Sequence, residues 1–281
     1  MHIANPIYDV VFKYLLEDNK VAKLLLSAII GEKIEELDFS AQEHTVDIER
    51  PEKPSFTVCR FDFSAKVKTE KGFKTIGIEL QKAKLQSDLM RFRRYLGVQY
   101  QNSDNIYLVN HTKPTHQATP EMIEKPREIY CIYFLAYGMD LPARPVLKVD
   151  YKVEDVCDGE EFPATGEFIS GLHHRSWIVQ INQLKERRRN KLEKILSVFD
   201  QSAITDHRHI LYVDDDSFPA EYNEIIRRLR KAMEDPQKRR EMELEDDILN
   251  ELKDLERQVE EAKKEATDAK QTIAKQDNTI A

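Results

Sequence analysis

Hydrophobic and polar residues alternate along residues 72–81, whose sequence is GFKTIGIELQ. A period of two is typical of a β-strand, because successive side chains point to opposite faces of a sheet. One face is apolar and is expected to lie in the core; it consists of Ile76, Ile78 and Leu80. The other face is polar, so it is either a solvated edge or a functional site; it consists of Thr75, Gly77, Glu79 and Gln81.

The preceding segment, RFDFSAKVK, alternates in the same way and predicts a second strand. A turn centred between Glu70 and Lys71 makes the two strands an antiparallel hairpin in which the numbers of paired residues add up to 141. Asp62 then lies opposite Glu79, with about 5 Å between the two Cβ atoms. A glycine bulge at Gly72 is the alternative, and it changes this register by one residue.

Helical and strand patterns follow one another up to about residue 218, which predicts an α/β or α+β sheet domain. Apolar residues spaced three and four apart predict helices, and continuous apolar runs predict buried strands. The predicted helices span residues 5–16, with Asn5-Pro6 at its start, 21–30, 83–100 and 182–202. The other predicted strands span residues 34–50, 105–110, 127–137, 176–181 and 209–214, and residues 112–126 are predicted to be a loop.

The C-terminal part of the chain has a heptad pattern, in which apolar residues are four and three residues apart in turn. These residues are Ile248, Leu252, Leu255, Val259, Ala262, Ala266, Ala269 and Ile273. The pattern predicts a coiled coil and a homodimer through residues 246–281, and a single helix that folds back onto the domain is the alternative. The predicted organisation is a domain at 1–218, a helical linker at 219–245 and a coiled-coil tail at 246–281.

Composition argues against several classes of protein. The 281 residues are 41% hydrophobic but contain no uninterrupted apolar run of about 18 residues, so no membrane partner is expected. The N-terminus lacks the features of a signal peptide, and the three widely spaced cysteines indicate reduced thiols, which together predict a cytoplasmic location. No glycine-rich phosphate-binding loop occurs, so no nucleoside triphosphate is expected as a ligand.

The net charge of -8 is unevenly distributed along the chain. Residues 241–281 contain 13 acidic and 6 basic residues, so they hold most of the negative charge. Residues 60–94 contain 10 Lys or Arg but only 4 Asp or Glu. A local basic field attracts a phosphate backbone even in an acidic protein, so DNA or RNA is a candidate partner. A solubilising surface of scattered lysines is the alternative.

Two carboxylates opposite each other in a hairpin repel and need a cation between them. Mg²⁺ and Mn²⁺ suit oxygen ligands and also bind substrate phosphates, so Asp62 and Glu79 are candidate metal ligands. Gln81 shares their face and can orient a water molecule or a phosphate oxygen. The alternative is that Asp62 and Glu79 are ordinary surface charges that Lys66 and Lys74 neutralise.

These residues resemble the PD-(D/E)XK nuclease superfamily, in which an Asp is followed on the next strand by Glu-x-Lys. Here sixteen residues separate Asp62 from Glu79-Leu80-Gln81. The chain is most similar to the recombination-promoting nuclease and putative transposase branch, which has Glu-x-Gln and a D-x-x-F-K motif in its first helix. That motif corresponds to Asp9, Phe12 and Lys13, and the segments RFRRYLGVQY and HHRSWIVQI also look similar.

The resemblance implies a restriction-endonuclease-like fold, with a mixed central sheet flanked by helices. It also implies Mg²⁺-dependent or Mn²⁺-dependent cleavage of DNA phosphodiester bonds, linked to recombination or transposition. Carried over by position, Asp62, Glu79 and the Leu80 carbonyl bind the metal ion, Gln81 replaces the usual lysine, and Asp9 is an acidic helix residue near the ion. The candidate nucleic-acid contacts are Lys13, Lys82, Arg91, Arg94 and Tyr95.

Gln81 also supports a different hypothesis, because glutamine cannot supply positive charge to a developing oxyanion. In this alternative, a nuclease-like module binds DNA or a protein without cutting and assembles through its coiled coil. Lys82 follows Gln81 but points to the opposite face of an extended strand.

Another polar pair, His207 and His209, has metal-ligand spacing, but no further ligand stands at a useful distance, so we interpret the pair as loop residues.

Overall fold

The computed structural model describes residues 1–48, 56–82, 88–111, 121–138, 140–163, 166–214 and 218–280. Within these ranges, the side chains of residues 39–48, 56–62 and 268–280 and of several single positions, including Arg91 and Arg94, lie outside the described part. The helices are α1 (Asp9–Leu16), α2 (Asn19–Ile30), α3 (Asp88–Gln101), α4 (Glu167–Leu172), α5 (Lys191–Leu196), α6 (Asn223–Glu234) and α7 (Pro236–Ile280).

The described strands form one large sheet and three small ones. They are β1 (His2–Ala4), β2 (Ile34–Ile48), β3 (Phe56–Thr69), β4 (Gly72–Gln81), β5 (Ile106–His111), β6 (Glu121–Pro126), β7 (Glu128–Leu135), β8 (Val146–Val149), β9 (Val153–Glu154), β10 (Glu161–Phe162), β11 (His174–Gln180) and β12 (Ile210–Tyr212). The six-stranded sheet has the order β2-β3-β4-β7-β11-β8, and the two-stranded sheets pair β1 with β12, β5 with β6 and β9 with β10.

The six-stranded sheet is mixed. Strands β2, β3 and β4 form an antiparallel meander, whereas β4, β7 and β11 run parallel and β8 is antiparallel to β11. Helix α3 lies in the chain between β4 and β7, as parallel neighbours require a crossover connection. The prediction of a mixed α/β architecture with flanking helices is confirmed, and β4 lies inside the sheet rather than at its edge.

The predicted hairpin register is confirmed for the pairs that the structure describes. Val67 pairs with Lys74 and Phe63 with Ile78, so the numbers of paired residues add up to 141 and no bulge changes the register. Strand β3 ends at Thr69, and Gly72 opens β4 with a φ of 112°, a left-handed value that favours glycine. A two-residue turn therefore fixes which side chains of the two strands face each other.

The apolar face of the hairpin lies in the main hydrophobic core, as predicted. Phe12 of α1 makes edge-to-face contacts with three rings, at centroid distances of 5.7 Å to Phe63, 5.1 Å to Phe134 and 6.0 Å to Phe199. Ile76, Ile78 and Leu80 are buried in the same cluster; the residues of α1 and α2 that join it are Val11, Leu15, Leu16, Val21, Ala22, Leu25, Leu26, Ile29 and Ile30. Burial of this large apolar area stabilises the sheet and fixes α1 against the β4 strand.

Several local predictions were wrong. Residues 182–202 do not form one basic helix, because only Lys191–Leu196 is α-helical and the flanking turns are 3₁₀. The first helix starts at Asp9 rather than at Asn5, whose side chain instead binds Gln201 and the Arg208 carbonyl. The predicted loop at 112–126 ends in strand β6, which pairs with β5 outside the central sheet.

The segment at 219–245, predicted to be a helical linker, is helical and contributes to the core. Ile225, Ile226 and Leu229 of α6 are buried, as is Met242 of α7. Helix α7 is continuous across residue 246, where the sequence analysis placed a boundary. Among the described residues, no helix combines the length and the apolar character needed to cross a membrane.

Candidate functional site

The polar face of β4 is buried at its C-terminal end. Glu79 and Gln81 each expose only 7% of their surface, so this face is not a solvated edge. Lys74 does not neutralise them, because it lies on the opposite face, where its ammonium group is 3.2 Å from Glu128 and 3.7 Å from Glu32. A buried carboxylate is costly unless charge or hydrogen bonds compensate it, so Glu79 marks a candidate site.

A narrow cleft of about 40 Å³ lies between this face and α3. Glu79 lines it together with aromatic and small residues, which are Phe63, Gly77, Ile78, Phe92, Tyr95, Leu96, Gln99, Cys131 and Tyr133. The rings of Phe92 and Tyr133 pack at a centroid distance of 5.0 Å. Burial raises the pKa of the Cys131 thiol to about 12, so this cysteine is not a ready nucleophile. The carboxylate of Glu79 is therefore the group in this lining best suited to hold a cation.

The backbone of β4 provides a second oxygen near Glu79. The amide of Ala136 donates a hydrogen bond of 2.9 Å to the Gln81 carbonyl, which therefore faces the β7 side of the strand. Successive carbonyls along a strand point to alternate neighbours, so the Leu80 carbonyl is directed towards β3. The last pair of the β3–β4 ladder in the structure is Phe63 with Ile78. The Leu80 carbonyl thus faces the strand that carries Asp62, beyond the end of that ladder.

Asp62 belongs to β3, where its backbone pairs with that of Gln42, but its side chain lies outside the described residues. The β3–β4 ladder ends one residue before this position, at Phe63 with Ile78, so the pairing of Asp62 with Glu79 stays a prediction from the register. Among the described residues, no group of three or more His, Cys, Asp or Glu side chains is arranged to bind a metal ion. The described donors at this end of β4 are the Glu79 carboxylate and the Leu80 carbonyl, and Asp62 is the predicted third.

Asp9 lies at the start of α1, where helix α7 contacts it. The Asp9 amide donates a hydrogen bond of 2.9 Å to Oε2 of Glu245. Burial, followed by the negative charge of Asp9, raises the pKa of the Glu245 carboxyl, and Lys82 only partly offsets this effect. The N-terminus of α1 therefore already holds a carboxylate-bearing side chain from the C-terminal helix.

A second carboxylate of α7 lies at the centre of a group of polar side chains, which we call the Asp246 cluster: Tyr8, Lys82, Arg208, His209, Glu245 and Asp246. The Lys82 ammonium lies 2.7 Å from Oδ1 of Asp246 and 3.4 Å from Oε1 of Glu245. It also lies 3.3 Å from the centroid of the Tyr8 ring, which is a cation–π contact. This ammonium group is thus held on the α1 side of the sheet, whereas Glu79 lines the cleft beside α3.

Three further donors point to the Asp246 carboxylate. The Tyr8 hydroxyl lies 3.0 Å from Oδ2, His209 Nε2 also lies 3.0 Å from it, and Arg208 Nε lies 3.5 Å away. Burial tends to raise the pKa of Asp246, but hydrogen bonds from Lys82, His209 and Tyr8 outweigh it and hold this pKa below its ordinary value. Burial and the Asp246 charge together raise the pKa of the Tyr8 phenol, which therefore stays protonated as a donor.

The structure separates the predicted site residues into two groups. Glu79, Gln81 and Tyr95 lie on the α3 side of the sheet, whereas Asp9 and Lys82 lie beside α7 on the α1 side. Lys13 is half-buried in α1, and the side chains of Arg91 and Arg94 lie outside the described residues. Sequence analysis missed the roles of Tyr8, His209, Glu245 and Asp246. Tyr8 and Asp246, for example, are 238 positions apart, and residues so distant leave no local pattern when they meet.

Comparison with known proteins finds no family model, no curated protein and no solved structure that matches this chain. The motifs and the geometry of the chain therefore carry the functional interpretation.

Proposed function

We propose that the protein is a metal-dependent endonuclease that hydrolyses DNA phosphodiester bonds. The single observation that carries this proposal is the buried Glu79 carboxylate at the end of a central strand, one register step from Asp62 on the neighbouring strand. Strands β3 and β4 belong to a mixed sheet with flanking helices, which agrees in outline with the fold that the motif resemblance implies.

Asp62, Glu79 and the Leu80 carbonyl fit a Mg²⁺ or Mn²⁺ ion, because they are oxygen donors and because the burial of Glu79 favours a neighbouring positive charge. When bound, such an ion polarises a phosphodiester and lowers the pKa of a coordinated water. The two carboxylates would hold it at the end of the hairpin, and the aromatic side chains of the cleft would limit access of bulk water.

Gln81 shares the face of Glu79, where its side-chain amide can orient the attacking water or a phosphate oxygen by hydrogen bonding. It cannot stabilise a developing negative charge as a lysine would. Lys82 is not a substitute in the state described here, because Asp246 and Glu245 hold its ammonium group on the other side of the sheet. We therefore propose slow cleavage in which most of the charge stabilisation comes from the metal ion.

Helix α7 supports a homodimer in this proposal. Leu255 and Val259, two members of the heptad pattern, are 37% and 53% exposed, so this stretch of the seam is not covered by the domain. A second copy of the same helix would bury these side chains in a coiled coil. Two active sites in one dimer would cut two DNA strands, as recombination or transposition requires, and a cytoplasmic location fits the same role.

A nuclease-like module that binds DNA or a protein without cutting is the second candidate. The identity of Gln81 favours it, as does the absence of a cluster of three metal-binding side chains among the described residues. The two candidates differ in their response to a divalent cation, because a module without a functional metal site has no reason to bind Mg²⁺.

Cleavage of supercoiled plasmid DNA in Mg²⁺ or Mn²⁺ tests the proposal. We expect the wild type to cut, and Asp62→Asn, Glu79→Gln and added EDTA to abolish cutting. Glu36→Gln is the matched control, since Glu36 is an exposed carboxylate of the same sheet, paired with Lys68. A folded wild type that does not cut would support the binding module, whereas equal cutting by all variants would place the activity elsewhere.

A further inference from the structure

The Asp246 cluster has the composition of a site for an oxyanion. Its donors come from three separate parts of the chain: Tyr8 before α1, Lys82 after β4, and Arg208 with His209 before β12. All four are directed at a single carboxylate, with donor–oxygen distances from 2.7 to 3.5 Å. Such convergence of charged and neutral donors is also how proteins bind phosphate oxygens.

Without α7, the donors of the cluster lose their carboxylate partners. Only 15% of the Lys82 side chain is exposed, and its two carboxylate partners, Glu245 and Asp246, both belong to α7. Release of α7 would remove both partners of this ammonium group and uncover it, so the converging donors would be open to another anion. The Arg208 side chain is 65% exposed and keeps one side of the cluster open to solvent.

Beyond Met242, release of α7 uncovers no side chain of the hydrophobic core among the described residues. Of the α7 residues that the structure describes, Met242 is the one that belongs to the hydrophobic core. Beyond it, Glu245 and Asp246 make ionic contacts with the domain, Ile248, Leu249 and Leu252 are half-buried, and Leu255 and Val259 are exposed. Because ionic contacts can be exchanged for those of a competing anion, an external phosphate can replace Asp246 while α7 uncovers a few half-buried side chains.

We propose that Tyr8, Lys82, Arg208 and His209 form a binding site for a phosphate of the DNA backbone, which Asp246 occupies while α7 is docked. The Asp246 carboxylate acts as an internal substitute for the phosphate, and DNA competes with α7 for the same donors. The choice of DNA as the ligand rests on the proposed function, whereas the suitability for an anion follows from the cluster itself.

Lys82 immediately follows Gln81, so the site lies at the end of the strand that carries Glu79. A DNA segment that passes around this end of β4 would present one phosphate to the cluster and another to the hairpin on the opposite face of the sheet. Docking of α7 therefore weakens DNA binding, and DNA that displaces it gains an additional phosphate contact.

Fluorescence anisotropy with a labelled DNA duplex, in EDTA and at low ionic strength, tests this competition. Asp246→Asn should bind about tenfold more tightly than the wild type, and the double variant Asp246→Asn/Lys82→Met should lose that gain. Glu243→Gln is the matched control, because it removes one negative charge from an exposed position on the same helix and should change affinity much less. Equal affinities for Asp246→Asn and Glu243→Gln would overturn the proposal.

Two further measurements keep the test decisive. Inorganic phosphate should raise the melting temperature of Asp246→Asn but not of the double variant; stabilisation without tighter DNA binding would overturn DNA as the ligand. In the wild type, DNA should accelerate hydrogen exchange of α7 amides after Met242, and unchanged exchange with DNA bound would contradict displacement. None of these readouts uses cleavage, so their failure is distinct from a failure of Asp62 and Glu79 as metal ligands.

Discussion

The ammonium group of Lys82 lies 2.7 Å from the carboxylate of Asp246, although 164 positions separate the two residues in the chain. This contact joins the end of the central strand β4 to the C-terminal helix. It also fixes Lys82 on the face of the sheet opposite to Glu79, so the basic residue nearest to the candidate metal ligands is engaged by the protein itself.

Replacement of Lys82 by Met should reduce the free energy of unfolding by about 2 kcal/mol, because Asp246 would lose its closest partner while Tyr8 and His209 still donate to it. Urea denaturation measures this change. Lys68→Met is the control, since it removes an exposed ion pair with Glu36 and should have little effect. Equal effects of the two substitutions would show that the Lys82 contact does not stabilise the fold.

The free energy of unfolding should decrease as pH rises from about 4.5 to about 8. Burial and the charge of Asp9 raise the pKa of Glu245 from 4.5 to about 8, so the folded state binds a proton that the unfolded state has released. Lys82 and Asp246 also face this group, but the pKa of Asp246 is lowered, so its titration falls below this range. Urea unfolding at several pH values should show the decrease in the wild type, and it should be much smaller in Glu245→Gln. A Glu245→Gln protein with an unchanged pH profile would assign the effect to another group.

Added Mg²⁺ should raise the melting temperature of the wild type by a few degrees at concentrations well above its dissociation constant, because the ion binds only the folded state. Glu79→Gln should melt at the same temperature with and without Mg²⁺. It should also be at least as stable as the wild type without metal, since it removes a buried charge. Differential scanning calorimetry with Ca²⁺-free buffers checks both statements, and a Mg²⁺ response that survives in Glu79→Gln would exclude this residue as a ligand.

The substitution Gln81→Lys should increase plasmid cutting by about tenfold or more, because a lysine at this position supplies positive charge to the developing oxyanion. Met90→Lys is the control, because it adds one positive charge at an exposed position of α3 and should change cutting much less. A folded Gln81→Lys protein that cuts no faster than the wild type would show that charge at this position does not limit the reaction.

Light scattering should give a dimer for the full chain and a monomer for the double variant Leu255→Lys/Val259→Lys, because charged residues at heptad core positions oppose helix pairing. Gln258→Lys, a neighbouring exposed position outside the heptad core, should remain dimeric. A monomeric wild type would remove the coiled-coil dimer from the proposed function.

The hairpin and its two faces were determined by the sequence alone. Alternation along residues 72–81 and a two-residue turn set the register that pairs Phe63 with Ile78, because both signals act over short distances in the chain. The burial of Glu79 was not determined locally, since it depends on β7 and α3 lying beside and over β4. A strand pattern identifies a polar face but does not show whether solvent or a helix covers it.

Residues 182–202 show how specific side-chain hydrogen bonds override composition. Asn190 accepts a hydrogen bond from the Glu193 amide, and Asp200 accepts from the Glu186 and Ser202 amides, so the chain turns where its basic residues suggested a continuous helix. Whether such bonds form depends on the geometry of several turns at once. Helical periodicity alone therefore gave the wrong result here.

The tail was determined in part by its own sequence. Its heptad pattern predicted a helix, and the structure contains one continuous helix from Pro236 to Ile280. Only the tertiary structure decided that Asp246 meets Lys82, Tyr8 and His209, because complementary charges carry no information about which of many distant partners they will contact. Packing of α1 against the sheet and of Met242 in the core brings these groups together, and that arrangement exists only in the folded chain.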